Sequence, residues 1–449
     1  MEPLKASIYA AQRFRESIFI LKEELKMRKK VGLLAIIVFL FGFSVFSNAA
    51  ENLLLEDFLT DTFQKLIALA DNAVDFNSQS IELETVLSDK EIVLAEEVKD
   101  LFRYRKSLED LFSTYTSTAK MNYRLSIRLL SKKEIGELCF YEVAKASEYN
   151  YTDLPDVLSK EGRIVQFVTR QDSLTGKVEI IDFFVPDDYE LRGCLEELSL
   201  YDLYQENRAD SELLFLRKSN LKENYDNIFR STSEYIKQKT EEAENVTPEE
   251  NADITEINRI PLSKYAIKDY ARRNCSKDQP LAGWGDSVAP YYDFSQIPGN
   301  YDCTNFASHA ILAGGANICY NGNPSTGWYF KSLNDRSYSW SGVPKLRDFL
   351  VSNSNIGPYG HELNYRTYSD INSIPYEFGD LIQFYQADGY NNWRHSGIIT
   401  QFYKLPSSTT QYGVLYCARI AKGIYEYDVK AEKKYGKQPK RVIALDGTR

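Results

Sequence analysis

The stretch NYDCTNFASHAILAGG, residues 300 to 315, places a cysteine where a helix is expected to begin. Asp302 can cap that helix, and Gly314 with Gly315 can end it. The partial positive charge of a helix N-terminus favours a thiolate over a thiol, and a thiolate attacks carbonyl carbons. The pattern therefore favours Cys303 as a nucleophile whose backbone N–H faces a developing oxyanion. An ordinary buried thiol is the alternative.

A cysteine nucleophile needs a base, and the chain has three histidines. His309 lies six residues after Cys303, on another face of the same helix, and is a poor partner. His361 lies in a turn-like segment, at the surface or beside the substrate. His395 opens a strand that follows the strand beginning at Gly379-Asp380. A helix cysteine followed by a strand histidine is the order of papain-like thiol enzymes, so His395 is the predicted base. A strand-end histidine without a role is the alternative.

Several motifs in order resemble a bacterial family known as the putative amidase domain. YDCTNFASHAILAGG resembles its nucleophile motif, and GWYF, YSWSGVPKLRDFL, GDLIQFY and WRHSGIIT follow within residues 260 to 425. The last two motifs are similar, more distantly, to NlpC-type and CHAP cysteine peptidases. The resemblance implies a papain-like α+β fold and a cysteine amidase or peptidase. It also implies that Cys303 is the nucleophile and His395 the base.

Two positions depart from the family pattern. The family usually has Gln where this chain has His309. The strand after the histidine strand commonly carries an AQHT-like segment, and here Ile420 occupies the family histidine position. Isoleucine cannot hydrogen-bond an imidazole, so the orienting group comes from elsewhere, or the enzyme works as a dyad, or it is weak. The polar candidates near in sequence are Asp302, Asn305, Asn391 and Asn392.

Further side chains are expected around the nucleophile. Asn305, or a neighbouring amide, is expected to help the helix N-terminus stabilise the oxyanion, and Asp302 to support the site mainly as a helix cap. Trp393, Trp340 and Trp328 are candidates for the walls of the cleft, with core aromatics as the alternative. No cofactor is predicted, and the absence of a CxxC motif or a Cys/His cluster argues against a zinc site.

The elements that must position these residues lie in the second half of the chain. Its 449 residues allow two or three domains. Residues 51–235 predict an α+β domain of unknown role, in which helices up to about residue 115 precede an antiparallel sheet. Residues 236–259 predict an acidic linker, and residues 260–449 the amidase domain. The expected fold class is α+β, with the nucleophile helix of a papain-like C-terminal domain packed on an antiparallel sheet.

Residues 1–50 are expected to direct export. A basic flank at residues 28–30, an uncharged apolar run at residues 31–46 and small residues at 47–49 have the layout of a secretory signal peptide. A membrane anchor is the alternative. Because Met27 stands where a signal peptide should start, residues 1–26 are interpreted as an upstream extension from a misplaced start codon. Either way, the domains are expected outside the cytoplasm, secreted or membrane-anchored.

Composition limits the partners. The net charge of −10 argues against nucleic acid, which binds basic surfaces. Export permits disulfides among the six cysteines, at most two of them if Cys303 stays reduced. The expected partner is a peptide or amide substrate, including cell-wall peptides, and the membrane is met only through the N-terminal apolar segment. The alternative function is a non-catalytic envelope or binding protein that retains the amidase fold.

Overall fold

The computed structural model describes residues 59–74, 92–113, 117–171, 177–184, 260–297, 300–368, 370–386, 392–405, 411–432 and 439–449, with a few single positions between 226 and 237. The chain divides into two compact units, residues 1–63 and 64–449. Of the first unit, residues 59–63 are described and are helical. The predictions for residues 1–50 lie outside the described residues, as do those for the linker apart from position 237.

A large, mostly antiparallel sheet forms the centre of the second unit. Its N-terminal strands are β1 (Ile92–Leu94), β2 (Lys120–Ile135), β3 (Leu138–Tyr151), β4 (Leu154–Gln171) and β5 (Val178–Phe184). Its C-terminal strands are β8 (Pro358–Asn364), β9 (Leu381–Gln386), β10 (Asn392–Lys404), β11 (Tyr412–Ala421), β12 (Ile424–Lys430) and β13 (Lys440–Thr448). Two short strands, β6 (Phe330–Ser332) and β7 (Asp335–Arg336), form a separate ladder.

The strand order explains how distant segments meet. The main path runs β1-β5-β4-β12-β11-β10-β9-β13-β8, and β3 followed by β2 continues from the other edge of β4. Strand β1 is parallel to β5, and the other described pairs in this sheet are antiparallel. The sheet therefore passes from the N-terminal to the C-terminal strands at the β4–β12 pair.

Six labelled helices accompany the sheet. They are α1 (residues 59–70), α2 (Glu96–Ser113), α3 (Lys264–Asn274), α4 (Cys303–Ala313), α5 (Tyr338–Ser341) and α6 (Val343–Ser352). The start of α3 is capped by Ser263, whose hydroxyl accepts the backbone N–H of Ala266 at 3.2 Å. Pro344 occupies the first turn of α6, where proline's fixed φ suits a helix start.

Two hydrophobic clusters fix the C-terminal strands between them. One cluster packs α3, α4 and α6 against the sheet through side chains that include Ile267, Phe306, Leu346, Ile398 and Cys417. The other contains no residue of these helices and includes Phe384, Ile399, Tyr416, Ala418 and Val429. Because the strands are buried on both faces, their side chains are held rigidly.

The seam between β4 and β12 is unusually close. Glu426 lies opposite Glu161, and Tyr425 lies opposite Gly162. A Cβ atom at Gly162 would lie 2.1 Å from the carbonyl oxygen of Gly423 and 2.7 Å from the Tyr425 ring, so only glycine fits there. The α+β class with a predominantly antiparallel sheet is confirmed, and the domain boundaries stay a prediction.

Within the described ranges, no helix is both long and apolar enough to span a membrane. The apolar run at residues 31–46 lies outside that part. The five cysteines within the described ranges, Cys139, Cys275, Cys303, Cys319 and Cys417, are free thiols.

Candidate active site

Cys303 is the first residue of α4, as the sequence predicts. The carbonyl of Asp302 accepts the first helical hydrogen bond, from the N–H of Phe306 at 2.9 Å. The N–H groups of a first helical turn have no acceptor within the helix, so the helix itself does not use the N–H of Cys303. Cys303 is only 3% exposed, and its sulfur lies 3.8 Å from the hydroxyl oxygen of Thr304.

His395 lies on β10, next to the thiol. The register between β10 and β9 shifts between Trp393 and His395, and this bulge re-aims the histidine, which lies opposite Phe384. The imidazole and the Cys303 side chain interact closely enough that each shifts the pKa of the other. The Nε2 atom of His395 lies 2.9 Å from Oε2 of Glu426, which leaves Nδ1 for the thiol. The structure therefore brings together the two residues predicted as nucleophile and base.

Glu426 is the third member of this chain of contacts, and sequence reasoning missed it. It lies on β12, its side chain is fully buried, and its Oε1 accepts a hydrogen bond from Nη2 of Arg163 at 2.6 Å. None of the polar candidates that are described takes this position. Asp302 and Asn305 bond elsewhere, and Asn392 accepts the N–H of Trp393. Asn391 lies outside the described residues.

A bulge in β12 directs Glu426 toward His395. The ladder pairs Val429 with Tyr416 and Glu426 with Ala418, with a register shift between them. Asp428, inside the shift, has a φ of 50°, a left-handed conformation that is uncommon outside glycine. Because of the bulge, Glu426 lies on the same face of the sheet as Val429. Regular alternation along β12 would place Glu426 on the face of Asp428, which is covered by the helices. Ala418, opposite it on the intervening strand, leaves room for the carboxylate to reach β10.

The electrostatics of the site favour a thiolate–imidazolium pair. Burial alone would raise the pKa of Cys303, but the hydrogen bond and charge of His395 outweigh it and the pKa is lowered. Burial alone would lower the pKa of His395, but the charge of Glu426, together with the bond to Cys303, raises it. The two pKa values shift toward each other, which lowers the cost of moving the proton from the thiol to the imidazole.

Asp302 supports the site in a way that differs from the prediction. It occupies the N-cap position, but its side chain makes no capping hydrogen bond, so that expectation was wrong. The carboxylate instead accepts hydrogen bonds from Tyr291, the N–H of Phe294, Asn305 and Arg419. Burial, with Asp293 nearby, raises the pKa of Asp302 to about 7, although Tyr291 and Arg419 act against it.

Asn305 is fully buried and engaged within the protein. Its Nδ2 donates to the carbonyl of Tyr292 at 3.0 Å and to Asp302 at 2.9 Å. Its Oδ1 accepts from Nε1 of Trp340 at 2.7 Å. Both amide protons are thus occupied in bracing the start of α4, so Asn305 has a supporting position there.

The tryptophans divide between core and surface. Trp340 and Trp328 have no exposed area and pack 4.9 Å apart between ring centroids, so both are core aromatics and do not line an open cleft. Trp393 is half-buried, packs against Tyr385, and has the guanidinium of Arg441 at 3.9 Å from its ring centroid. Trp393 stays the cleft candidate because it lies two residues from His395.

The other two histidines are engaged elsewhere. His309 is fully buried, accepts the N–H of Gly283 through Nδ1, and stacks on Tyr291, and burial lowers its pKa to about 3. His361 bonds Asp446 at 2.9 Å, and this bond raises its pKa. Both placements agree with the choice of His395 as the partner of Cys303.

The fold and the site together define an α+β domain with a buried chain of cysteine, histidine and glutamate. Residues 262–421 match the model of the family described as Putative amidase domain. This confirms the resemblance seen in the sequence motifs and suggests amide-bond hydrolysis at the level of the family. The match covers less than half of the chain, and Glu426 and Arg163 both lie outside it. No curated protein and no solved structure matches the chain.

Proposed function

We propose that the chain is a cysteine-dependent amidase or peptidase whose catalytic residues are Cys303, His395 and Glu426. The observation that carries the proposal is the buried contact chain from the thiol through the imidazole to the carboxylate. A helix that presents the cysteine to an antiparallel sheet carrying the histidine supports a papain-like arrangement. Glu426 takes the orienting role that Ile420 cannot fill.

The proposed reaction has two steps. The Cys303 thiolate attacks the amide carbonyl carbon, and the carbonyl oxygen gains negative charge at the N-terminus of α4. The imidazolium of His395 then donates its proton to the leaving amine as the C–N bond breaks. Water, deprotonated by the neutral His395, attacks the thioester and releases the acid with regeneration of the thiol pair. Glu426 holds the imidazole orientation and stabilises its charged form throughout.

Thiol reactivity tests the proposal without knowledge of the substrate. At pH 6 only about 0.3% of an ordinary thiol is ionised, given a pKa of about 8.5, whereas the paired Cys303 is expected to be largely thiolate. We expect iodoacetamide at pH 6 to alkylate Cys303 at least about tenfold faster than an unpaired thiol, as measured by peptide mass spectrometry. The substitution His395→Ala should remove that advantage.

Cys139 is an internal control in the same molecule. It is half-buried on β3, and burial together with the Glu134 carboxylate raises its pKa. Its alkylation should therefore be slow at pH 6 and unchanged by His395→Ala. Equal rates for Cys303 and Cys139 would exclude the enzyme and favour the alternative, a binding protein that keeps the fold; the small exposure of Cys303 is the observation on that side.

The proposed substrate is a peptide or cell-wall peptide amide, met outside the cytoplasm. This proposal rests on the basic and apolar segments of residues 27–50, which have the layout of an export signal. The mature protein purified from its native cell should then begin near residue 50, as shown by N-terminal sequencing. A peptide from residues 1–26 would contradict the interpretation of that segment as an upstream extension.

A further inference from the structure

Arg163 connects the candidate site to the N-terminal strands. It lies on β4, more than 90% buried, and donates from Nη2 to Oε1 of Glu426 at 2.6 Å. Its Nη1 donates to the carbonyl of Tyr425, the residue before Glu426, at 3.2 Å. One guanidinium thus holds both the side chain of Glu426 and the backbone that carries it. The planar, forked guanidinium suits this double contact, which a lysine ammonium cannot reproduce.

The N-terminal sheet in turn fixes Arg163. Its Nη2 lies 3.5 Å from Oε1 of Glu161, and Glu161 accepts hydrogen bonds from Lys120 on β2 and Tyr149 on β3. Lys120 and Glu161 are both largely buried. The arginine therefore lies at the end of a charged, hydrogen-bonded network that crosses β2, β3 and β4.

The charged groups that face Glu426 lie on β10 and β4. His395 faces it from β10, and Arg163 and Glu161 face it from β4; Cys303 on α4 acts on it through His395. A buried carboxylate that loses a paired cation keeps its desolvation cost without compensation, so it takes up a proton or turns away. Either change removes the acceptor that orients the imidazole.

We propose that Arg163 is a positioning residue for hydrolysis, acting through Glu426, so that the N-terminal sheet forms part of the catalytic unit. This inference rests on the proposed function. It assigns a role to Arg163, which lies 99 residues before the family-matched segment begins at residue 262. The N-terminal strands then contribute to the site, because Glu426 lacks its contact with Arg163 without them.

The test is the pH profile of Cys303 alkylation in the full chain, with Arg163→Met, Arg163→Lys and Glu426→Gln. For Arg163→Met we expect about a tenfold loss of rate at pH 6 and a profile moved by about one pH unit to higher pH. The lysine variant should fall between the methionine variant and the wild type. Arg170→Met is the matched control, since Arg170 lies on the same strand and pairs with Glu179 at the exposed surface.

A double-mutant cycle separates positioning from general destabilisation. If Arg163 acts through Glu426, adding Arg163→Met to Glu426→Gln leaves the alkylation profile unchanged, whereas independent effects would multiply. Wild-type rates in either Arg163 variant, or multiplied losses in the double variant, would overturn the inference. Should the methionine variant not fold, the lysine variant decides. If Cys303 of the wild type reacts no faster than Cys139, the proposed function is wrong. If Cys303 reacts fast and the Arg163 variants react equally fast, only the role of Arg163 is wrong.

Discussion

At the scale of residues, the site is a set of ionisable groups whose charges depend on one another. The thiol and the imidazole are nearly inaccessible to water, where charge is costly, and their pKa values still move toward an ion pair. That is possible because Glu426, itself buried, supplies negative charge on the far side of the ring. Removing this carboxylate should therefore change the pKa of Cys303, although the imidazole lies between the two groups.

The substitution Glu426→Gln tests that dependence. The amide can still hydrogen-bond the imidazole, but it carries no charge to raise the pKa of His395, so the pKa of Cys303 loses part of its depression. We expect alkylation of Cys303 at pH 6 to slow about tenfold, equivalent to about one pKa unit. At pH 9, where an ordinary thiol ionises, the wild-type and variant rates should converge. A constant ratio across the pH range would contradict the electrostatic account.

Asp302 gives a prediction about stability. Burial raises the pKa of its carboxyl from 3.8 to about 7, so the folded state binds a proton that the unfolded state has lost between these values. The stability that this group contributes is full below pH 4 and is lost as pH rises through 7. Urea unfolding of Asp302→Asn at several pH values should show a flatter dependence than the wild type between pH 4 and 7. Asp348→Asn, at an exposed position, should leave the slope unchanged.

At the scale of elements, sequence motifs predicted Cys303 as nucleophile and His395 as base, whereas the contacts of Glu426 and Arg163 were found only in the structure. The apolar and glycine pattern after Cys303 and the strand pattern around His395 are local, so the sequence was sufficient to find α4, β9 and β10, although Asp302 does not cap α4. Glu426 was missed because IYEYDVK alternates charged and apolar residues, which reads as a solvent-exposed face. A bulge at Asp428 and the burial of Glu426, Asp428 and Lys430 cannot be seen in that alternation. Arg163 is even harder to predict from the sequence, because its contact with Glu426 depends on which strands become neighbours in the sheet.

Ala418, on strand β11, is the position of a further testable prediction. The Glu426 carboxylate crosses β11 beside this small residue to reach His395. In Ala418→Leu the larger side chain should displace the carboxylate and slow the alkylation of Cys303 at pH 6. Ala431→Leu is the matched control, because Ala431 is equally buried in the same hydrophobic cluster. Both variants should lose about 1–3 kcal/mol of unfolding free energy through overpacking, but only the first should change thiol reactivity.

At the scale of the whole molecule, the candidate site draws on strands far apart in sequence. Cys303, His395 and Glu426 come from α4, β10 and β12, and Arg163 comes from β4. A second buried contact joins the same strands, since the hydroxyl of Ser159 donates to the carbonyl of Asp428 at 2.8 Å. Because β12 lies between β11 and β4, the position of Glu426 depends on both of its neighbours. Loosening the β4–β12 seam should therefore weaken the candidate site even with all of its residues intact.

Gly162→Ala is a substitution that should separate β4 from β12 while adding only a methyl group and no polar or charged atom. The added methyl carbon would lie 2.1 Å from the carbonyl oxygen of Gly423, so β4 and β12 must separate or tilt. We expect faster hydrogen exchange of the β12 amides and slower alkylation of Cys303, with the two changes appearing together. Gly322→Ala controls for lost stability alone: its φ of 72° strains an alanine, but the space around it is open. If Gly162→Ala accelerates exchange in β12 while thiol reactivity stays at the wild-type rate, the seam does not hold the site.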